Sequence, residues 1–352
     1  MKVLHTEWSD GWGGQEIRII NEMLGVREKG VEVFLACKED SIIKQKALEN
    51  NIKVFTLPFR GNVDFKTMLG LRKIIKQEKI DIVNTHSGKD TWVGGIAAKL
   101  SGAKFIRTRH LSNRIKTSKL NFINELADFI ITTGESVRED MIKFNRIEPN
   151  KIVSIPTGID CEIFNSDKYD KIQSRELLGI SKDKFVIGIL AVLRGFKRHD
   201  FFLDIADKFR EFEFVIAGDG PKKESILKKI KELNLTNVKL LGHIDKAPEF
   251  LKALDIQLLT SDEKEGVPQN VIQGLMMECD IISSDVGSVR DLYKDNNFII
   301  VKPLDLDAYV TNIKKLKNKE IVLNKDRDYI VKNFSKKAMV NKVLDVYKKV
   351  LN

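Results

Sequence analysis

A chain of 352 residues exceeds the size at which one hydrophobic core stops growing, which excludes a single small module and predicts two domains. A 42% hydrophobic content excludes a disordered or fibrous chain. A formal charge of +10 favours anionic partners without choosing among nucleic acid, an anionic membrane face and phosphorylated substrates.

Short β-branched runs alternate with longer amphipathic stretches from the first residue. Strands are predicted at Lys2–Thr6, Val31–Cys37, Ile52–Leu57, Ile80–Thr85, Lys104–Thr108, Asp128–Thr133 and Lys151–Ile155, with a helix opening near Gly14. The strands lack polar alternation, as expected of parallel strands covered by helices on both faces. The segment from Cys161 to about Lys184 is polar and strand-poor and marks a boundary able to flex. A second series then runs through Phe185–Ala191, Glu213–Ala217, Val238–Gly242, Ile256–Thr260, Asp280–Ser284 and Asn297–Val301. The reading is an α/β protein with two Rossmann-like, doubly wound parallel-sheet domains facing a central cleft. Residues just after the strands are therefore the ones to search for function.

No apolar run approaches the roughly 18 residues of a membrane span, the longest being Val186–Leu193, and the N-terminus lacks a signal-peptide pattern. A cytoplasmic protein is expected. Cys37, Cys161 and Cys279 are odd in number and far apart, which argues against disulfides and zinc and predicts mostly buried thiols.

After the first strand, Gly11-Trp12-Gly13-Gly14-Gln15-Glu16 forms a glycine turn opening a helix, whose free N–H groups suit a phosphate or a sugar edge. The turn is also compatible with a plain tight strand-to-helix connection. Asn84-Thr85-His86-Ser87-Gly88 and Arg107-Thr108-Arg109-His110 place two histidines at the carboxyl ends of adjacent strands, where His86, Ser87, Arg109 and His110 become ligand candidates. Beyond the second domain's first strand, Arg194 and Lys197 precede a helix and are suited to a diphosphate, one as a fork and one as a compact charge. Gly218-Asp219-Gly220-Pro221 gives a second glycine turn. In the stretch from Ser261 to Gly274, Pro268 suits a helix's first turn.

This ordered set resembles the retaining glycosyltransferases of the GT-B fold, family 4, along essentially the entire chain. Gly13-Gly14-Gln15-Glu16 resembles the N-terminal glycine loop, and Ser154-Ile155-Pro156-Thr157-Gly158-Ile159-Asp160 the segment between domains. Gly218-Asp219-Gly220-Pro221 resembles the G-x-G-P turn, and Glu265-Gly266-Val267-Pro268 the start of the E-x7-E element. The resemblance implies that Arg194 and Lys197 hold the donor diphosphate and that Glu265 bonds the transferred sugar. Gly13, Gly14, Gly218, Gly220, Gly266, Val267 and Pro268 would contribute to donor binding, and His110 would lie beside the reacting anomeric carbon. The second acidic position of the element, which commonly holds the ribose, is Gln273 here, and Thr157 replaces the usual asparagine. A glutamine amide still bonds a ribose diol.

The implied enzyme transfers a sugar from a nucleotide-diphosphate donor to a glycan or lipid-linked acceptor, in lipopolysaccharide, capsule or similar surface-polysaccharide synthesis. No cofactor or metal is expected. Residues 1–165 are read as the acceptor domain, 166–334 as the nucleotide-sugar domain, and 335–352 as a helix crossing back to the first. Arg107, Arg109, Arg114, Lys116 and Lys119 make a basic stretch suited to an anionic lipid-linked acceptor and to peripheral attachment at the inner face of the plasma membrane. UDP, GDP and ADP donors all remain open. Alternatives are a GT-B nucleotide-sugar epimerase or a non-catalytic nucleotide-sugar or nucleic-acid binder. The broken dinucleotide fingerprint counts against an oxidoreductase, and three tryptophans with five tyrosines make a poor nucleic-acid platform.

Overall fold

Strands that are apolar on both faces must be covered on both faces, and the packing of β1 (Lys2–Thr6) shows how: Val3 enters one core and Leu4 the opposite one. The computed structural model describes residues 1–110, 115, 122–263 and 265–352, which divide into two units, Met1–Gly158 with Lys336–Asn352, and Ile159–Ser335. Arg114, Lys116 and Lys119 of the basic stretch lie outside the described residues, as does Lys264.

The first unit adds β2 (Glu32–Cys37), β3 (Lys53–Thr56), β4 (Ile82–Thr85), β5 (Lys104–Arg109), β6 (Phe129–Thr132) and β7 (Ile152–Ser154). Its described strands form one parallel sheet in the order β3-β2-β1-β4-β5-β6-β7, with Val3 in register with Val33 and Ile82. Helices α1 (Gly14–Glu28), α2 (Ile42–Glu49), α3 (Phe65–Glu78), α4 (Gly88–Ser101) and α5 (Glu135–Asn145) connect them. The strand ends fall within two residues of the sequence reading, as frayed termini do.

The second unit contains α6 (Lys171–Leu178), β8 (Val186–Leu190), α7 (His199–Asp207), β9 (Glu213–Ala217), α8 (Lys223–Glu232), β10 (Val238–Gly242) and α9 (Ala247–Ala253). It continues with β11 (Ile256–Leu259), α10 (Gln269–Met276), β12 (Asp280–Ser284), β13 (Ile299–Val301), α11 (Leu306–Lys317) and α12 (Arg327–Phe334). The sheet order is β10-β9-β8-β11-β12-β13, with the pairings parallel.

The strand-poor segment after Cys161 is integral to this unit. Arg175 of α6 donates to Ala253 O at 2.9 Å and to Asp255 Oδ2 at 2.7 Å, and the same carboxylate accepts from Val186 N at 2.6 Å. A charge-assisted network of this kind fixes the segment to β8 and α9. Where the chain enters and leaves, Ile159 N donates to Phe334 O at 2.9 Å.

The chain returns to the first unit through α13 (Lys336–Leu351), which packs on α1 and puts Met339, Val340, Val343 and Tyr347 into its core. Gly25 of α1 permits the approach: a Cβ there would stand 2.2 Å from Val340 Cγ2. Tyr347 donates to Glu22 Oε1 at 3.0 Å, and Asn84 Nδ2 donates to the same oxygen at 3.1 Å. The contact therefore ties α13 to α1 and β4. Cys37 and Cys279 are buried, which pushes their thiols up to about 11 and about 12.

Candidate active site

In each sheet the order reverses at one point, between β1 and β4 and between β8 and β11, and in open parallel sheets ligands bind beyond the carboxyl ends at such a point. In the second unit the loop after β8 is pressed onto the turn after β9. Leu193 N donates to Asp219 O at 3.0 Å, and Lys222 N to Leu193 O at 3.0 Å. Gly218, at φ +144°, has no room for a side chain, since a Cβ would lie 1.9 Å from Ala191 O; at Gly220 it would lie 2.8 Å from Leu193 O. These glycines are required by backbone packing, and that packing sets the position of Arg194.

Arg194 is exposed, and its guanidinium has no partner among the described residues. Lys197 follows in a single 3-10 turn, Gly195–Lys197. Its carbonyl accepts from Thr260 Oγ1 at 2.8 Å, and Phe196 O accepts from Asp262 N at 3.1 Å, so the loops after β8 and β11 are stitched together. Lys197 Nζ meets Glu265 Oε1 at 2.5 Å, and Ser261 Oγ donates to the same oxygen at 2.6 Å. The two charged side chains are only 16% and 9% exposed. At that depth each needs the other, because an unpaired charge there is costly.

Behind this pair, Gly287 takes φ +56°, and a Cβ would fall 2.0 Å from Glu265 O. Ser288 N donates to Gly266 O at 3.0 Å, fixing the loop from below. Val267 and Pro268 are buried, and Pro268 caps α10. Gln273, half-buried on α10, has a side-chain amide with no partner among the described residues.

In the first unit Gly13 caps α1, and its N–H donates to Glu16 Oε2 at 2.9 Å. The turn is thus partly satisfied from within. Glu7, fully buried at the end of β1, accepts from Trp8 N at 2.9 Å and Ser9 N at 2.8 Å. Burial, and then the charge of Asp90, push its carboxyl up to about 8. Ser87 caps α4 and gives its hydroxyl to Asp90, which also accepts from Thr6 Oγ1 at 2.7 Å and His86 N at 2.9 Å.

His86 lies between two other histidines. Its Nε2 is 2.9 Å from His5 Nδ1 and its Nδ1 is 3.0 Å from His110 Nε2. Both ring nitrogens are committed, which leaves none for an acceptor sugar. Arg107 and Arg109 are buried within β5, and desolvation holds them down to about 9 and about 10. They therefore cannot serve as an exposed basic stretch.

The family described as Glycosyltransferase Family 4 matches residues 12–163, and that described as Glycosyl transferases group 1 matches residues 170–347. The chain belongs to the family 4 glycosyltransferases. The transferase is 26% identical to the Escherichia coli UDP-Gal:alpha-D-GlcNAc-diphosphoundecaprenol alpha-1,3-galactosyltransferase, over 99% of this chain and 96% of that protein. It is also 26% identical to the Campylobacter jejuni N-acetylgalactosamine-N,N'-diacetylbacillosaminyl-diphospho-undecaprenol 4-alpha-N-acetylgalactosaminyltransferase, over 85% of each. Among solved structures it superposes on a Rickettsia africae glycosyltransferase with a TM-score of 0.91 at 19% identity, covering 100% of this chain and 98% of that one. On Anabaena HepE in complex with UDP the TM-score is 0.85 at 17% identity, covering 99% and 100%. The fold is GT-B.

Within its second unit the transferase brings together Arg194, Lys197, Glu265, Gly266, Val267 and Pro268. Within its first, His86, Ser87 and His110 share the β4–β5 edge. Sequence reasoning missed Ser261, Gly287, His5, Glu7 and Asp90. Ser261 and Gly287 were visible only as a hydroxyl and a glycine just past strand ends. Among the described residues no group of three or more His, Cys, Asp and Glu is arranged to hold a metal ion.

Proposed function

We propose that this transferase moves a sugar from a UDP-sugar to a lipid-linked glycan, with retention at the anomeric carbon and without a metal, in bacterial surface-polysaccharide assembly. The Lys197–Glu265 pair, with Arg194 on the same loop and without a partner among the described residues, at the reversal point of the second sheet, carries the reading. UDP is favoured by the nucleotide in the HepE complex and by the donor named for the E. coli relative, and a lipid-linked acceptor by that relative and the C. jejuni one.

In the proposed front-face displacement the C1–O bond to the diphosphate breaks, and a C1–O bond to the acceptor hydroxyl forms on the same face. The hydroxyl proton passes to the departing diphosphate oxygen. Arg194 and Lys197 take up the charge growing on that leaving group, the task a divalent ion performs elsewhere. Glu265 accepts from hydroxyls of the sugar, Gln273 bonds the ribose, and His110 contacts the donor sugar. Gly13, Gly14, Gly218 and Gly220 give backbone access to the phosphates.

The chain is read as cytoplasmic and peripheral to the inner membrane face. The supporting feature is α3 and the loop before it, where Val63, Phe65 and Leu69 are 80%, 66% and 57% exposed beside exposed Lys66 and Lys73. Phe65, Leu69 and Lys73 recur at four-residue spacing, which makes an apolar stripe with a cationic flank suited to anionic lipid. Among the described residues no helix is long and apolar enough to cross a membrane.

The test is incubation with UDP-, GDP- and ADP-sugars and an undecaprenyl-diphosphate-linked N-acetylglucosamine acceptor in EDTA, with the product's anomeric configuration read by NMR. UDP-sugar-dependent transfer with retention is expected. Inversion, or a strict metal requirement, overturns the proposal.

A further inference from the structure

Three imidazoles stand in series in the first unit, two of them buried. His5 and His86 are 0% and 2% exposed, their rings lie 9° from parallel, and the His5 Nδ1 to His86 Nε2 contact is 2.9 Å. His86 Nδ1 then meets His110 Nε2 at 3.0 Å, with the rings tilted by 35°. The one remaining ring nitrogen of the outermost histidine is His110 Nδ1.

A neutral imidazole has one N–H and one lone pair, so two hydrogen bonds in series must run in the same direction. The inner end selects that direction. His5 Nε2 is buried and has no partner among the described residues. Either an N–H or a lone pair is stranded there, and stranded buried N–H groups are the rarer and costlier of the two. The lone pair therefore belongs on His5 Nε2. His5 Nδ1–H then donates to His86 Nε2, and His86 Nδ1–H donates to His110 Nε2.

We propose that His5 and His86 are positioning residues that lock His110 in its Nδ1-protonated tautomer, so that it meets the donor sugar as a hydrogen-bond donor. The inference rests on the His110 contact proposed above. The chain works only while its members are neutral, because a second proton on His110 would set an N–H against His86 Nδ1–H. Burial keeps it so, holding His5 down to about 3 and His86 and His110 well below their usual range, with Arg18 adding to the effect on the latter two. The dead end at His5 also distinguishes the array from a proton wire, since among the described residues no group there receives a proton.

Long-range 1H–15N correlation of histidine-labelled protein tests the lock directly, with the five histidines assigned by single substitutions. The expected pattern is a protonated Nδ1 and an unprotonated Nε2 at His110. The reverse pattern overturns the proposal. His5→Phe removes the donor to His86, so His110 should become a tautomer mixture, and kcat/KM for the donor should fall about two- to tenfold, the scale of one hydrogen bond. His5→Asn, which places an amide N–H near the lost Nδ1, should restore both. An unchanged single tautomer in His5→Phe overturns the lock, and if that variant does not fold, the wild-type pattern decides alone. Full activity in His110→Ala, with the expected pattern in the wild type, overturns the sugar contact and leaves the lock standing.

Discussion

Replacing Lys197 with methionine removes the ammonium and keeps much of its apolar length. Among the described residues, Glu265, 9% exposed, would then retain only the bond from Ser261 Oγ at 2.6 Å. Breaking a fully buried pair costs about 3–5 kcal/mol; because Lys197 is 16% exposed, a cost of about 2 kcal/mol is expected. In a domain of this size each kcal/mol lowers Tm by about 2–4 °C. Glu265→Gln should cost a similar amount, and the double variant less than the sum, giving a coupling of about 1–2 kcal/mol. Activity is a separate quantity. If the ammonium stabilises the departing diphosphate, kcat/KM should fall by roughly 2–4 kcal/mol, about 30- to 1000-fold, in Lys197→Met. The assay combines donor-dependent transfer kinetics with thermal melts of the four proteins in the cycle. A kcat/KM within threefold of wild type would refute the charge argument, and a coupling near zero would show that the pair is not a unit.

Four further outcomes are expected. A chain ending at Ser335 loses Met339, Val340, Val343, Val346, Tyr347 and Val350 from the first core, about 2 kcal/mol each and comparable with a whole domain's stability, so calorimetry should lose one unit's transition and keep the other's. Gly287→Ala, with its Cβ 2.0 Å from Glu265 O at a left-handed φ, should lower both stability, by about 2 kcal/mol, and transfer rate, measured side by side. Glu7, whose carboxyl is raised to about 8 by burial and by Asp90, contributes stability that is complete below its unfolded value of 4.5 and is lost as pH rises through 8. Denaturant titrations should therefore show Glu7→Gln gaining on wild type by about 2 kcal/mol between pH 5.5 and 7.5, and a constant difference would contradict that assignment. Phe65→Glu with Leu69→Glu should abolish flotation with anionic liposomes while leaving transfer to a short-chain soluble acceptor intact.

The two sheets were legible because buried parallel strands leave continuous β-branched runs, and observed ends such as Asp280–Ser284 and Glu213–Ala217 coincide with those runs. Arg194 and Lys197 were legible as candidates because they follow a strand at a carboxyl edge, and Glu265 was a candidate through the family resemblance. The two arginines of β5 misled for a related reason. Local sequence shows their charge but not that a strand end buries them, and α3, with no motif of its own, holds the exposed stripe instead.

Sequence alone determined the α/β class and the succession of two strand series along the chain, and it marked the glycine turns as candidates, since these depend on periodicity and on residues adjacent in the chain. Tertiary structure alone decided what meets across long separations. Lys197 reaches Glu265 across 68 residues, His5 reaches His86 across 81, and Tyr347 reaches Glu22 across 325. Such pairs leave no local pattern, because what brings them together is the register of parallel strands and the packing of helices over them.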